Sequence, residues 1–326
     1  MATIKDVAKE AGVSVATVSR VFNNRGYLSD EIKQKVASAI EDLDYHPNDL
    51  ARSLQKRKSW LIGLIVPSVA HPFFGAVARY VEKFAYKSGY KVLLCNSLHE
   101  SEKERDYIKM LRRSQVDGII MGSHVMDTAN YADLHLPVIS LDRELSPDIP
   151  YVCCDNYQGG ELAARHLISK GCRNIVHISG SLSVPMLSNK RTDAFIAVCK
   201  EAGAVFHCYE LPDKSLVDFD NITEFPHIFE DHPECDGVFA TSDITAAAII
   251  SLAVKAGRRV PDDLKVIGFD GILPVSLFSP TLTSIRQPIE AISRYALEYL
   301  VRLIDGEPVP SKTVLPVTFL DRESAG

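Results

Sequence analysis

The sequence predicts a small all-α domain at the N-terminus and, beyond a short linker, an α/β core of two doubly wound parallel sheets. Three observations predict it. Residues 2–24 read as two short helices around a tight turn, and a third helix follows. From Trp60 onward, continuous apolar runs alternate with amphipathic stretches, and the alternation occurs twice over. Between these regions stand Pro47, which ends regular helix, and the basic run Lys56-Arg57-Lys58.

In the first helix Ile4, Val7 and Ala8 recur at helical spacing, and Thr3 is placed to cap it. Gly12 can take the left-handed backbone that ends that helix. Ser14 is a suitable cap for the second helix, and Val18, Val21 and Phe22 form its apolar stripe. Its outward residues are Val15, Ala16, Thr17, Ser19 and Arg20: small or hydroxylated, with one guanidinium. A helix that only meets solvent normally carries more charge. One that enters a DNA major groove needs a slim N-terminal face, N–H groups for phosphate and a few donors for base edges. An ordinary packed helical hairpin shares the same pattern. The third helix opens at Ser29 and buries Ile32, Val36, Ala39, Ile40 and Leu43, closing the domain near Tyr45. Residues 48–54 have length for barely two helical turns, so a helix there needs a partner to form.

The core follows in order. Strands are expected at 60–67, 90–96, 117–121, 137–142, 151–155, 174–179, 205–210, 237–240 and 265–269. Helices are expected at 74–87, 102–113, 158–170, 189–202, 221–229 and 244–256, with a β-rich tail at 313–320. Ligands of such sheets bind beyond the carboxyl ends of the strands. At those ends stand His71, Phe73 and Phe74, then Asp142-Arg143, Ser242-Asp243, Asp270 and Gln287. Arg191 lies near a helix start, where a cation opposes the helix dipole, so a polyhydroxylated or anionic partner would help explain it. Taken singly, the phenylalanines could be core and Asp142-Arg143 a surface pair of little worth. Their shared placement suits a sugar, whose C–H faces stack on aromatic rings and whose hydroxyls meet carboxylate, guanidinium and amide.

Composition narrows the function. With 326 residues, 46% hydrophobic and 24% charged, the chain is long enough for more than one core. It has no apolar run long enough to span a bilayer and no secretory leader, which points to the cytoplasm and away from membranes. Its seven cysteines are scattered and read as reduced, mostly core thiols. The ten histidines show no metal-ligand spacing, so no metal or cofactor is expected. No phosphate-binding Gly-rich loop, dinucleotide fingerprint or nucleophile elbow occurs, so no enzyme is expected. The net charge is −6, but residues 1–58 hold ten Lys/Arg against eight Asp/Glu, leaving −8 on the remainder. A mildly basic module on an acidic body fits a protein that meets phosphate at one end.

The runs DVAKEAGVSVATVSRVFN and YHPNDLARSL resemble the lactose-repressor/galactose-repressor family of bacterial transcription regulators, and the resemblance continues along the whole chain. It implies a helix-turn-helix domain at 1–46, a hinge helix and linker at 47–59, and a periplasmic-binding-protein-like core at 60–326. The core would divide into one subdomain of about 60–158 and 288–316 and another of about 159–287 and 317–326. On the resemblance Val15, Ala16 and Arg20 read bases, and Thr17, Ser19, Asn23 and Tyr45 contact phosphate. Thr3, Ser14 and Asn48 join the same interface. Paired hinge helices would approach at Ala51 and wedge Leu54 into the minor groove, bending the DNA. The partner is then a near-palindromic operator bound by a homodimer. The chain carries no trailing leucine heptad, so a tetramer is not expected.

The resemblance also assigns effector contacts to His71, Phe73, Phe74, Asp142, Arg143, Arg191, Ser242, Asp270 and Gln287, with Phe219 as a further wall. His71 and Ser242 stand where sugar binders of this kind often have Asn, which leaves the ligand's identity open. The segments LLCNSLHESEKERDYIKML and LDRELSPDIPYVCCDNYQGG are most similar to those of sucrose-operon repressors. The expected effector is therefore a small sugar (sucrose, fructose or a phosphorylated form) that releases the operator. The alternatives are a purine effector or a phosphorylated carrier-protein corepressor, and more remotely a sugar-binding protein without DNA function.

Overall fold

Residues 2–22, 28–45, 58–123, 131, 134–211, 227–272 and 279–326 are described by the computed structural model. They fall into two compact units, Met1–Ser59 and Trp60–Gly326. Asn23, Asn48, Ala51, Leu54 and Phe219 lie outside the described residues, as does most of the predicted hinge.

The first unit holds α1 (Ile4–Glu10), α2 (Val15–Phe22) and α3 (Asp30–Asp42). Thr3 and Asp6 form a reciprocal cap on α1: the Thr3 hydroxyl accepts from Asp6 N, and the Asp6 carboxylate accepts from Thr3 N at 2.8 Å. Gly12, at φ +63°, turns the chain out of α1. Ser14 Oγ accepts from Thr17 N at 3.1 Å and opens α2, and Ser29 opens α3. Val7, Ala8, Val18, Val36 and Ala39 fill the space between the helices, with Phe22 and Tyr45 closing one side.

The second unit contains two six-stranded sheets. The first runs β11 (Lys312–Leu315), β5 (Tyr151–Cys154), β4 (Val138–Leu141), β3 (Gly118–Met121), β1 (Leu61–Val66) and β2 (Lys91–Asn96), all parallel. The second runs β12 (Thr318–Leu320), β10 (Thr283–Arg286), β9 (Lys265–Asp270), β8 (Gly237–Ala240), β6 (Asn174–Ser179) and β7 (Val205–Glu210). Among the described strands only β12 is antiparallel to its neighbour. The chain passes between the sheets after β5, after β10 and after β11. The central strands are buried on both faces, which is why they read as continuous Val/Ile/Leu runs.

Around the sheets pack α4 (Pro72–Lys87), α5 (Ser101–Arg113), α6 (Asn156–Ser169), α7 (Lys190–Ala202), a single turn α8 (Ile228–Asp231), α9 (Asp243–Lys255) and α10 (Ile289–Ile304). Several expectations need correction. Helix α4 begins at Pro72 rather than at residue 74, because proline suits the first helical turn and His71 caps it. Helix α10 is not among the expected helices, although Ile289, Ile292, Ala296, Leu297 and Leu300 form a buried helical stripe. The expected tail at 313–320 is two strands in different sheets. The predicted helix 221–229 lies mostly outside the described residues, and the helical turn that is described runs past its end. Six of the seven cysteines are buried thiols, Cys208 being exposed. His207 and His232, 25 positions apart, stack face to face, a proximity that spacing could not reveal. Among the described residues no helix is long and apolar enough to cross a membrane.

Two features of the second sheet position the cleft. Helices α6 and α7 touch at Gly160, where an added Cβ would lie 2.1 Å from the carbonyl oxygen of Arg191. At Gly159 an added Cβ would meet the Phe269 ring at 2.6 Å. The other feature is His177, buried in β6. Its Nδ1 donates to the Phe239 carbonyl at 2.9 Å, which fixes the neutral tautomer and leaves Nε2 to accept from Thr192 Oγ1 at 2.9 Å. The ring stacks on Phe239 at 4.7 Å and leans on Phe195. Burial pushes its pKa down to about 4.

Two outcomes follow. Gly160→Ala forces the helices apart against backbone and should cost about 3 kcal/mol, seen as a Tm drop of roughly 6–10 °C; an unchanged Tm would refute the close approach. For His177, the unfolded chain takes up a proton near pH 6.5, whereas the folded core refuses it until pH about 4. Stability is therefore lost as pH falls through that window, by about 2 kcal/mol between pH 7 and pH 5. Urea unfolding at both pH values should show this loss in the wild type and a correspondingly smaller loss in His177→Gln.

Candidate functional site

In the second unit, the carboxyl ends of β1, β3, β4, β6, β8, β9 and β10 open onto one cavity of about 290 Å³. Eight of the nine described effector candidates line it: His71, Phe73, Phe74, Asp142, Arg191, Ser242, Asp270 and Gln287. Arg143 does not. It is buried beside the cavity rather than forming a surface pair, and its carbonyl accepts from Ser140 Oγ at 2.6 Å.

Arg191 enters from the first turn of α7. Its Nε donates to Asn156 Oδ1 at 2.6 Å, one terminal nitrogen donates to the Thr241 carbonyl at 3.2 Å, and the guanidinium lies 3.6 Å from the centre of the Phe269 ring. Asn156, with its oxygen so engaged, donates from Nδ2 to Asp142 Oδ1 at 2.8 Å. A continuous chain thus runs Arg191–Asn156–Asp142 from the second sheet's side to the first. On the other flank Gln287 Nε2 donates to Asp270 Oδ1 at 2.8 Å. Asn156 and Gln287 stand where the chain passes between the sheets, so the polar array is built at the crossovers themselves.

Burial raises the pKa of Asp142, with the Arg191 charge and the Asn156 hydrogen bond opposing the rise. Burial, reinforced by the neighbouring Asp243 carboxylate, pushes Asp270 well above the ordinary carboxylate range. Burial lowers His71 to about 4, with His99 adding to the effect, so this ring is neutral near pH 7. His71 Nδ1 accepts from Phe73 N at 3.2 Å, capping α4 and holding the two phenylalanines edge to face at 5.0 Å. Ser242 caps α9, accepting from Thr245 N at 3.2 Å. Three lining residues, His99, Asp142 and Asp270, hold positive φ (+55°, +59° and +107°), a strained backbone that side chains rarely adopt. The array offers hydrogen-bond donors and acceptors in fixed directions beside apolar rings.

Sequence reasoning missed several contributors. Asn156 reads from sequence as a helix opener, yet it links the two key charges. His177 and Thr192 sit inside regular elements, where nothing local marks them. His99 and the 179–182 turn also line the cavity. The positive φ of His99 has no sequence signature.

In the first unit, α2 presents Val15, Ala16 and Arg20 to solvent, with Thr17 and Ser19 half-buried. Its first turn holds no acidic residue, and Arg20 lies in its last turn. Thr3 and Ser14 spend their hydroxyls on helix caps, and Tyr45 is half-buried against Phe22. The N-terminal end of α2 therefore exposes backbone N–H groups without a competing carboxylate.

Comparison with known proteins finds matches for both units. Residues 3–48 match the family described as bacterial regulatory proteins, lacI family, and residues 164–325 match a periplasmic binding protein-like domain. The sucrose operon repressor of Streptococcus mutans is 40% identical over 324 residues, covering 99% of each chain. The ribose operon repressor of Halalkalibacterium halodurans is 39% identical over 325 residues, covering 99% of this chain and 97% of the relative. A periplasmic binding protein/LacI transcriptional regulator from Alkaliphilus metalliredigens, solved with D-xylulofuranose, superposes with a TM-score of 0.74 at 32% identity, over 81% of this chain and 98% of that one. With full-length relatives at this identity and a helical unit that matches the family's own, the chain belongs to the lacI family of bacterial regulatory proteins.

Proposed function

We propose that the chain is a homodimeric, sequence-specific repressor of a sugar-utilisation operon, released from its operator by a neutral, single-ring sugar bound in the cleft. The observation that carries this reading is the Arg191–Asn156–Asp142 chain beside Asp270–Gln287, facing Phe73 and Phe74. A polyol supplies hydroxyls that donate to the carboxylates and accept from the guanidinium and amide, while a ring C–H face rests on the phenyl walls. Among the described lining residues Arg191 is the one Lys/Arg cation, against the carboxyls of Asp142 and Asp270. A phosphate dianion would meet a single cation that Asn156 and the Thr241 carbonyl already engage, beside two acidic side chains, so the unphosphorylated sugar is favoured. The cavity lies at the small end of the range for ligand sites, about 300–1,000 Å³, which favours a monosaccharide over sucrose. Relatives named for ribose operons and a similar regulator solved with D-xylulofuranose support the same size class.

On the DNA side, Val15, Ala16 and Arg20 read base edges, and Thr17, Ser19, Asn23 and Tyr45 hold phosphate. Leu54 is the minor-groove wedge. Sugar acts by preferring the arrangement of the two sheets that does not hold DNA. A tenfold preference corresponds to about 1.4 kcal/mol per site.

The direct test is fluorescence anisotropy on a labelled near-palindromic duplex with a central CpG step. A panel of ribose, fructose, xylulose, sucrose and their phosphates is then added. One monosaccharide should weaken operator binding at least tenfold; a sugar that tightens binding would reverse the inducer assignment. Arg191→Ala should weaken that sugar's binding roughly 100-fold, about 2.7 kcal/mol, with operator affinity in the absence of sugar nearly unchanged. Leu54→Ala should do the opposite, lowering operator affinity about tenfold while calorimetric sugar binding stays intact.

A further inference from the structure

Beside β7, an outer strand of the second sheet, three side chains converge that neither DNA reading nor the cleft uses. His207 belongs to β7, and His232 and Glu234 follow α8. The two imidazole rings lie face to face with centroids 3.8 Å apart and planes inclined by 23°. Glu234 Oε1 is 3.7 Å from His232 Nδ1. One ligand atom from each of the three residues lies within 4.8 Å of the other two. Both histidines are half-buried and Glu234 is exposed, so the rings are held by packing while the carboxylate faces solvent. Tyr209, on the same face of β7, packs edge-on against His232 at 5.8 Å, and its hydroxyl donates to Asp231 at 3.3 Å. Among the described residues, no protein group hydrogen-bonds either ring nitrogen of His207.

We infer that His207, His232 and Glu234 form a binding site for a divalent transition-metal ion of the zinc class. Two imidazole nitrogens and one carboxylate oxygen are the donors such borderline ions select; magnesium and calcium take oxygen ligands instead. Three protein ligands leave a fourth position for water. Tetrahedral coordination with Zn–N near 2.0–2.1 Å requires ligand atoms about 3.3 Å apart, so atoms now within 4.8 Å of one another close by at most about 1.5 Å, the rings tilting out of their stack. The ion would use a His207 ring nitrogen that no described residue hydrogen-bonds and would balance the Glu234 carboxylate beside His232. It would also tie β7 to the segment after α8.

The test uses the full chain, stripped with EDTA, and zinc chloride as the probe. Binding is followed by competition with a chromophoric chelator and by Tm. The expected result is one zinc per chain with a dissociation constant of about micromolar order, a Tm that rises with zinc, and no competition from excess magnesium. His207→Phe keeps a ring in the stack and removes the ligand. It should weaken zinc binding at least 30-fold and abolish the Tm rise, and His232→Asn should do the same. Saturable binding that persists in His207→Phe, or no binding below about 100 µM zinc, would overturn the proposal.

Discussion

The core depends on burying one guanidinium. Arg191 lies at a helix start, almost out of solvent, where neither hydration nor the helix dipole favours a cation. Its place is made tolerable by Asn156, the Thr241 carbonyl and the face of Phe269, with the Asp142 carboxyl one hydrogen bond further on. Each partner belongs to a different element, so the charge holds α6, α7, β9 and the end of β8 to one geometry. Gly160 is what lets α7 begin so close to α6, and the absence of a side chain there is as much part of the site as the guanidinium. Buried charges of this kind contribute little net stability but penalise every arrangement that leaves them unpaired. That is the property a two-state regulator needs at the seam between its halves.

The legible and the hidden parts of this seam differ for a physical reason. A parallel strand buried on both faces announces itself as an apolar run, and the residue that ends the run stands at the strand's carboxyl end. Asp142, Asp270 and Gln287 could be placed in this way, and the cavity brings them together. Asn156 could not, because Asp-Asn before a helix is ordinary capping chemistry. His177 lies inside an apolar strand, and only its two hydrogen bonds show that it is a fixed neutral connector. Helix α10 carries a plain apolar stripe, Ile289, Ile292, Ala296, Leu297 and Leu300, directly after the strand end at Arg286. In the helical unit all three helices were legible, because Thr3, Gly12, Ser14 and Ser29 punctuate them with specific backbone roles.

The strained backbone adds to this picture. His99, Asp142 and Asp270 hold positive φ at three separate points on the cavity wall. Residues in this region cost of order 1–3 kcal/mol each and persist where surrounding contacts over-determine them. Asp270 is fixed by Gln287 through both backbone and side chain, and Asp142 by Asn156 and the Val152 carbonyl. The two carboxyls are therefore held in fixed directions at the cavity wall.

The strand order has a consequence for how the chain is made. One outer strand of the first sheet and one of the second are β11 and β12, two neighbouring pieces of the same short stretch, Lys312–Leu315 and Thr318–Leu320. During synthesis both sheets wait for this stretch, so neither half can be finished ahead of the other. Until this stretch emerges, β5 and β10 are left as open strand edges, and one segment then covers both almost at once. The two halves are thereby completed together.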